Sequence, residues 1–303
     1  MNLQDINAFV AVAETGSLNR AALRLNLTQP ATTRRVQNFE AALGGAALLD
    51  RTVKPPILTP LGHQVLEHCR RVLKAVADLE KSTSATAEPA GDLRIGLAHG
   101  LADVALTSPL DDLRRRFPNI RLQVSSNWTT RLLEGVRNGA LDCAIGLLTE
   151  NHAVPPNMQV VVMGSECAVV VAARILKLRG DGHGRLRLRD LIDQAWVLNP
   201  LGCGCRATLQ RAFDRAKMPM RVGAEVFGED LQLSLIARGG GLGLVPRRQL
   251  RDSPHRSRLR VVTVSDFDLQ ATITMLHGSS LGNLAPVVAQ LQARIIERLK
   301  HNR

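Results

Sequence analysis

Gln29, Thr33 and Arg34 lie close together behind Thr28 and Pro30. An amide, a hydroxyl and a guanidinium on one short stretch can meet nucleic acid. Gln29 can reach a base amide or phosphate, Thr33 a phosphate or thymine methyl, and Arg34 a guanine edge. Ser17, Arg20, Thr28 and Thr32 flank this group, and Arg51 and Lys54 follow it. A second set of reactive types is Cys203-Gly204-Cys205, with His99 far upstream. These could form a metal or redox site, since soft ligands suit such a sensor. C-x-C is a short pattern, however, and a small-residue loop that admits backbone close to a ligand fits it too.

The elements that would carry the first group are short and closely spaced. Leu3, Ile6, Val10 and Ala13 fall at helical spacing, and Gly16 stops that helix. Ser17 can cap a second helix with Leu18, Ala21, Ala22 and Leu25 on its apolar face. Thr28 can cap a third, with Pro30 just inside its start, running through Val36, Phe39 and Leu43 to Gly44. Two helices joined by Asn26-Leu27-Thr28 make a helix-turn-helix, whose second helix can enter a major groove. The small Ala21-Ala22 pair would let them cross closely. The same spacing also fits a plain helical hairpin with a solvated polar face. Residues 48–59 read as two strands joined by Lys-Pro-Pro, a wing from which Arg51 and Lys54 would reach DNA.

Thr59 caps a long helix from Pro60. Val65, Leu66, Cys69, Val72, Leu73, Val76 and Leu79 form a stripe of near-heptad period, which predicts pairing with another helix. Lys81 to Asp92 is a polar, small-residue linker. Beyond it, strands at 93–98, 120–126, 141–148, 166–173, 195–199, 221–227 and 241–246 alternate with helices, and two late strands precede a terminal helix at 284–300. That grammar predicts two α/β lobes with largely parallel sheets and a cleft at the strand C-termini. The boundaries are 1–59, 60–90 and 91–303, with lobe I at 91–163 and 267–303 and lobe II at 164–266.

The chain has 303 residues, 45% hydrophobic and 22% charged, and a formal net charge of +12. This suggests a polyanionic partner. The charge is unevenly placed: net +2 over residues 1–90 and net +10 over the rest. Bulk charge therefore does not mark the nucleic-acid reader; the motif must. Five scattered cysteines do not form a disulfide framework or a structural zinc site, and no metal is expected. The N-terminus lacks a basic leader and cleavage site, and no long apolar run occurs, so the expected location is the cytoplasm with no membrane. No catalytic or nucleotide-binding fingerprint appears, so no enzyme is expected. A solute-binding protein would fit 91–303 but would have no use for the helix-turn-helix.

Residues 1–80 resemble the N-terminus of LysR-type transcriptional regulators. The carriers are Phe9, Gly16-Ser17, Ala21-Ala22, Thr28-Gln29-Pro30-Ala31-Thr32-Thr33, Phe39-Glu40, Leu43-Gly44, Arg51 and Leu58-Thr59-Pro60-Leu61-Gly62. Gly241-Leu-Gly-Leu-Val-Pro246 is similar as well. Phe39 departs from the family's Leu and Leu49 from its Phe, and the spacing to Arg51 is one residue longer than usual. The resemblance implies a winged helix-turn-helix, a dimerising linker helix, and a two-lobed effector domain like periplasmic binding proteins. It also implies assembly as a dimer of dimers on double-stranded promoter DNA, RNA polymerase as a partner, and a small-molecule effector rather than a cofactor. The family's effector position falls on Ala98, His99, Gly100, Leu101, Trp128, Thr129, Pro200, Leu201, Gly202, Cys203 and Phe227. Gly100 stands where many members carry a hydroxyl, which His99 could replace.

Two helices are expected to start at the cleft, near Thr130 and Gly204, with Arg131 and Arg206 beside their positive ends. With Thr129 as a hydroxyl donor, they favour a small organic acid, aromatic if Trp128 stacks on it.

Overall fold

A computed structural model describes residues 1–82, 88–101, 108–149, 152–178 and 186–301. The head is built from α1 (Leu3–Thr15), α2 (Leu18–Arg24) and α3 (Gln29–Ala42). Each begins on a side-chain cap: Asn2 accepts from Asp5 N–H, Ser17 from Arg20 N–H and Thr28 from Ala31 N–H. Such a cap stabilises a helix by about 1 kcal/mol. Asn26 takes a positive φ of 53° in the α2–α3 turn, a conformation Asn tolerates. Ala21 is fully buried and Ala22 nearly so where the helices cross. Phe9 and Phe39 meet at 5.4 Å between ring centroids in the head's core.

The wing is short, with β1 (Leu49–Asp50) antiparallel to β2 (Ile57–Leu58). Gly62 keeps it against the start of α4 (Pro60–Ser82): a Cβ there would stand 2.1 Å from the Leu48 carbonyl oxygen. The stripe expected along α4 splits in two. Leu66 and Cys69 are buried, and Val65 and Leu73 pack beside them against the head. Val72 and Leu79 face outward, 44% and 68% exposed.

One nine-stranded sheet runs through both lobes. β3 (Gly91–Ala98) pairs parallel with β4 (Ile120–Asn127) and β5 (Cys143–Leu148). β7 (Trp196–Leu198) pairs parallel with β8 (Val222–Glu225) and β9 (Leu242–Pro246). The expectation of largely parallel pairing is corrected in the middle. β6 (Met158–Ala173) and β11 (Leu269–Gly278) run antiparallel to each other and to their neighbours, and β10 (Leu259–Val262) is antiparallel to β6. β6 also begins eight residues before the predicted strand at 166. It is the long strand that passes from one lobe to the other. Its first half mixes buried, half-buried and exposed residues without a regular period, and so lacks the continuous apolar run that marks its second half.

The remaining helices are α5 (Ser108–Arg116), α6 (Thr129–Arg137), α7 (Gly204–Arg215), α8 (Glu229–Ala237), α9 (Arg247–Asp252) and α10 (Ala285–His301). α9 was not anticipated. Residues 102–107, the first part of the helix expected up to Phe117, lie outside the described residues. One apolar core joins β3, β5, α6 and α10; others join β6, β7, β9, α7 and α8. No helix among the described residues is long and apolar enough to cross a membrane.

Candidate DNA-reading face and effector cavity

Gln29, Pro30 and Arg34 are exposed at the start of α3, and Thr33 is half-buried. The Gln29 amide donates to the Thr33 hydroxyl at 3.2 Å, and that hydroxyl donates to the Gln29 carbonyl. Ser17 and Thr28 are engaged as caps, with Arg20 exposed beside them. Thr32 is corrected: it is fully buried and its hydroxyl donates to the Thr28 carbonyl, so it supports the helix and faces no ligand.

Arg51 is corrected in part. Its guanidinium binds Glu40 at 2.6 Å, with 46% of the side chain exposed. Glu40 is buried and also accepts from the Leu48 and Leu49 N–H groups. Arg51 thus neutralises the carboxylate that ties α3 to the wing, and Lys54 is left as the exposed cation of the turn. The Glu40 role was missed because a buried glutamate leaves no periodic signal.

Between the lobes lies a cavity of about 580 Å³. Ala98, His99, Gly100, Trp128 and Thr129 line it from lobe I, and Cys203 and Phe227 from lobe II. Strand ends and helix starts position all seven. Three rings meet there edge to face: His99 with Trp128 at 4.6 Å, His99 with Phe227 at 4.7 Å, and Trp128 with Phe227 at 5.9 Å. His99 Nδ1 also meets the Ser126 hydroxyl at 2.9 Å. Burial lowers the His99 pKa, so its imidazole is neutral at pH 7.

Four expected residues are not on this wall. Leu101 is fully buried in the lobe I core. Leu201 is 78% exposed, and Pro200 is half-buried outside the cavity. Gly202 has a different role: at φ 102°, its Cβ would come within 2.8 Å of the Trp128 ring. Its lack of a side chain lets lobe II approach that ring. Leu147, Thr149, Asn199, Asp230, Leu231 and Gln249, which the sequence did not point to, also line the wall, as do Ser126 and Leu244. Each belongs to a neighbouring strand end or helix that only the sheet order brings to the cleft.

Both arginines expected at the ligand turn away. Arg131 pairs with Glu134 at 3.0 Å on the surface. Arg206 donates to the Asn199 carbonyl and pairs with Glu225. No arginine or lysine is among the described residues of the wall. The starts of α6, α7 and α8 do reach it, through Trp128, Cys203 and Gly228, and none of these caps uses a side-chain hydrogen bond. Their first-turn N–H groups and positive dipole ends favour an anionic or acceptor group. Among the described residues no cluster of three or more histidine, cysteine or acidic side chains could hold a metal.

The lobes touch around the cavity. Arg248, at the start of α9, binds Glu166 of β6 at 3.1 Å, each side chain 9% exposed, and donates to the Gly100 carbonyl. This buried pair joins lobe II to the loop that carries His99.

The family model for a bacterial regulatory helix-turn-helix protein of the lysR family matches residues 3–63, and that for a LysR substrate binding domain matches 86–298. The chain is 28% identical over 259 residues to the HTH-type transcriptional regulator YofA of Bacillus subtilis, covering 86% of each. A full-length OxyR variant from Pseudomonas aeruginosa superposes with a TM-score of 0.77 at 19% identity, over 97% of this chain and 94% of that one. Full-length CbnR in complex with its target DNA gives 0.57 at 22% identity, over the whole of both chains.

Proposed function

Since this chain belongs to the LysR family of DNA-binding transcriptional regulators, we propose that α3 reads promoter DNA and that the interlobe cavity takes the effector. The regulatory role is shared with its relatives, which are regulators and not enzymes. The observation that carries the proposal is the pairing of two surfaces: an exposed polar start of α3, and an interlobe cavity flanked by helix N-termini. Gln29, Thr33 and Arg34 contact bases; Ser17, Arg20, Thr28 and Pro30 approach the backbone; Lys54 and the exposed part of Arg51 meet phosphates from the wing. The DNA complex of CbnR supports this use of the fold.

The effector is a small organic acid with a flat apolar body. The Trp128 and Phe227 rings meet its body, and the helix starts meet its carboxylate. With no arginine among the described residues of the wall, and with Asp230 on it, one carboxylate is favoured over a polyanion. The protein acts in the cytoplasm as a dimer of dimers and engages RNA polymerase at the promoter. Two assays on the full chain test this: retention of specific against random promoter DNA, and thermal shift against organic acids, sugars, amines and metal ions. Specific retention and stabilisation by aromatic monoacids are expected. Stabilisation only by neutral or cationic compounds would overturn the effector class.

A further inference from the structure

Cys203 and Cys205 stand on the wall of the interlobe cavity at the start of α7. Cys203 is the N-cap and is 7% exposed. A helix N-terminus stabilises a thiolate. At Cys203 the neighbouring Cys205 thiol, the N–H groups of Arg206 and Cys205 and the Asn199 side chain all favour the thiolate. Against burial, these bring the Cys203 thiol down from 9.0 to about 7. The same contact, with burial, pushes the Cys205 thiol well up, so it keeps its proton. Cys69, buried in the head, is pushed up to about 11. The pair therefore combines an ionisable sulfur with an adjacent held proton. Around it the cavity is large and mostly apolar, with Trp128, Phe227, Leu147 and Leu231 on the wall.

We infer that this cavity captures a soft organic electrophile, a quinone or another α,β-unsaturated carbonyl compound, as a thioether on Cys203. The inference rests on the reading of the cavity as the seat of a flat organic effector. In the step, a lone pair of the Cys203 thiolate forms a C–S bond at the β-carbon. The C=C π pair moves toward the carbonyl, whose oxygen takes the negative charge. The Cys205 thiol gives its proton to the α-carbon, and the carbonyl is restored. Cys205 then regains a proton from solvent. No oxidant is consumed. A volume of about 580 Å³ with ring walls suits an organic electrophile, whereas a hydroperoxide needs far less room.

The test is to treat the full-length protein with substoichiometric para-benzoquinone over a pH series and to map adducts by peptide mass spectrometry. The expected result is a single adduct on Cys203, forming at a rate that saturates with quinone concentration and is half-maximal near pH 7. Lowering the pKa raises the thiolate fraction but reduces its nucleophilicity, so at neutral pH Cys203 should react roughly fivefold faster than an ordinary thiol. Cys205→Ser should slow the reaction and move the profile to higher pH. Cys203→Ser should abolish the fast adduct, and circular dichroism checks that both variants fold. Wild-type mapping decides the matter by itself if either does not. First labelling of Cys167, an even spread over the cysteines, an unsaturable rate, or a Cys203–Cys205 disulfide in place of addition would overturn the inference. The mass readout does not involve DNA. An adduct without DNA retention would fail the regulatory reading alone, and organic-acid stabilisation without an adduct would fail this inference alone.

Discussion

Arg34 stands exposed one turn into α3, with no acidic neighbour within its helix's first turn. If it reads a guanine edge, Arg34→Ala should cost about 1–3 kcal/mol on the specific site and little on random DNA. Fluorescence anisotropy on both DNAs distinguishes this from a phosphate contact, which would weaken both alike. Arg51 behaves differently, because it answers a buried carboxylate. Arg51→Ala should lower thermal stability by roughly 1–2 kcal/mol as well as DNA affinity, the half-exposed pair being partly screened by solvent. His99 sets a pH dependence. Its folded pKa is lowered by burial, so the unfolded chain binds the extra proton first. The stability that it contributes is present above the ordinary histidine value of 6.5 and is lost as pH falls below it. In denaturant titrations the stability difference between the wild type and His99→Gln should be constant in alkaline buffer and should shift against the wild type as the pH falls below 6.5.

At the scale of elements, the linker helix α4 carries two faces where its sequence showed one stripe. Near-heptad spacing identifies apolar positions but does not separate those that hold the head from those that meet a partner helix. Leu73 packs on the head, whereas Val72 is 44% exposed. Val72→Glu should therefore uncouple the dimer while leaving the head folded, and Leu73→Glu should mainly unfold the head. Light scattering and circular dichroism report the two effects separately. The three head helices were legible because caps, Gly16 and Pro30 mark their ends and alanines mark their crossing. Thr32 was misread because it shares the polar character of its neighbours while its position turns inward. The early half of β6 and the six-residue α9 were illegible for lack of a strong period. The cavity was legible in outline through its loop positions. Thr149, Asp230 and Gln249 reach it through sheet order, which a single sequence does not encode locally.

At the scale of the molecule, the lobes are joined around the cavity by the His99–Phe227 ring contact, the approach of Gly202 to Trp128, and the Arg248–Glu166 pair with its bond to Gly100. Removing one partner of a buried ion pair leaves an uncompensated charge. Arg248→Met should thus cost about 3–5 kcal/mol of stability in a denaturant titration. It should also loosen the loop that bears His99. If, as proposed, an effector binds between these contacts with unequal affinity for different lobe arrangements, that difference is the free energy available to shift the heads on DNA. The most direct measurement is a footprint of the full-length protein on a promoter fragment recovered from cells, with and without the organic acid that stabilises it. The account predicts protection of two half-sites about one helical turn, or a multiple of it, apart, with their spacing or extent changed once the acid binds. An unchanged footprint with the cavity demonstrably filled would contradict it.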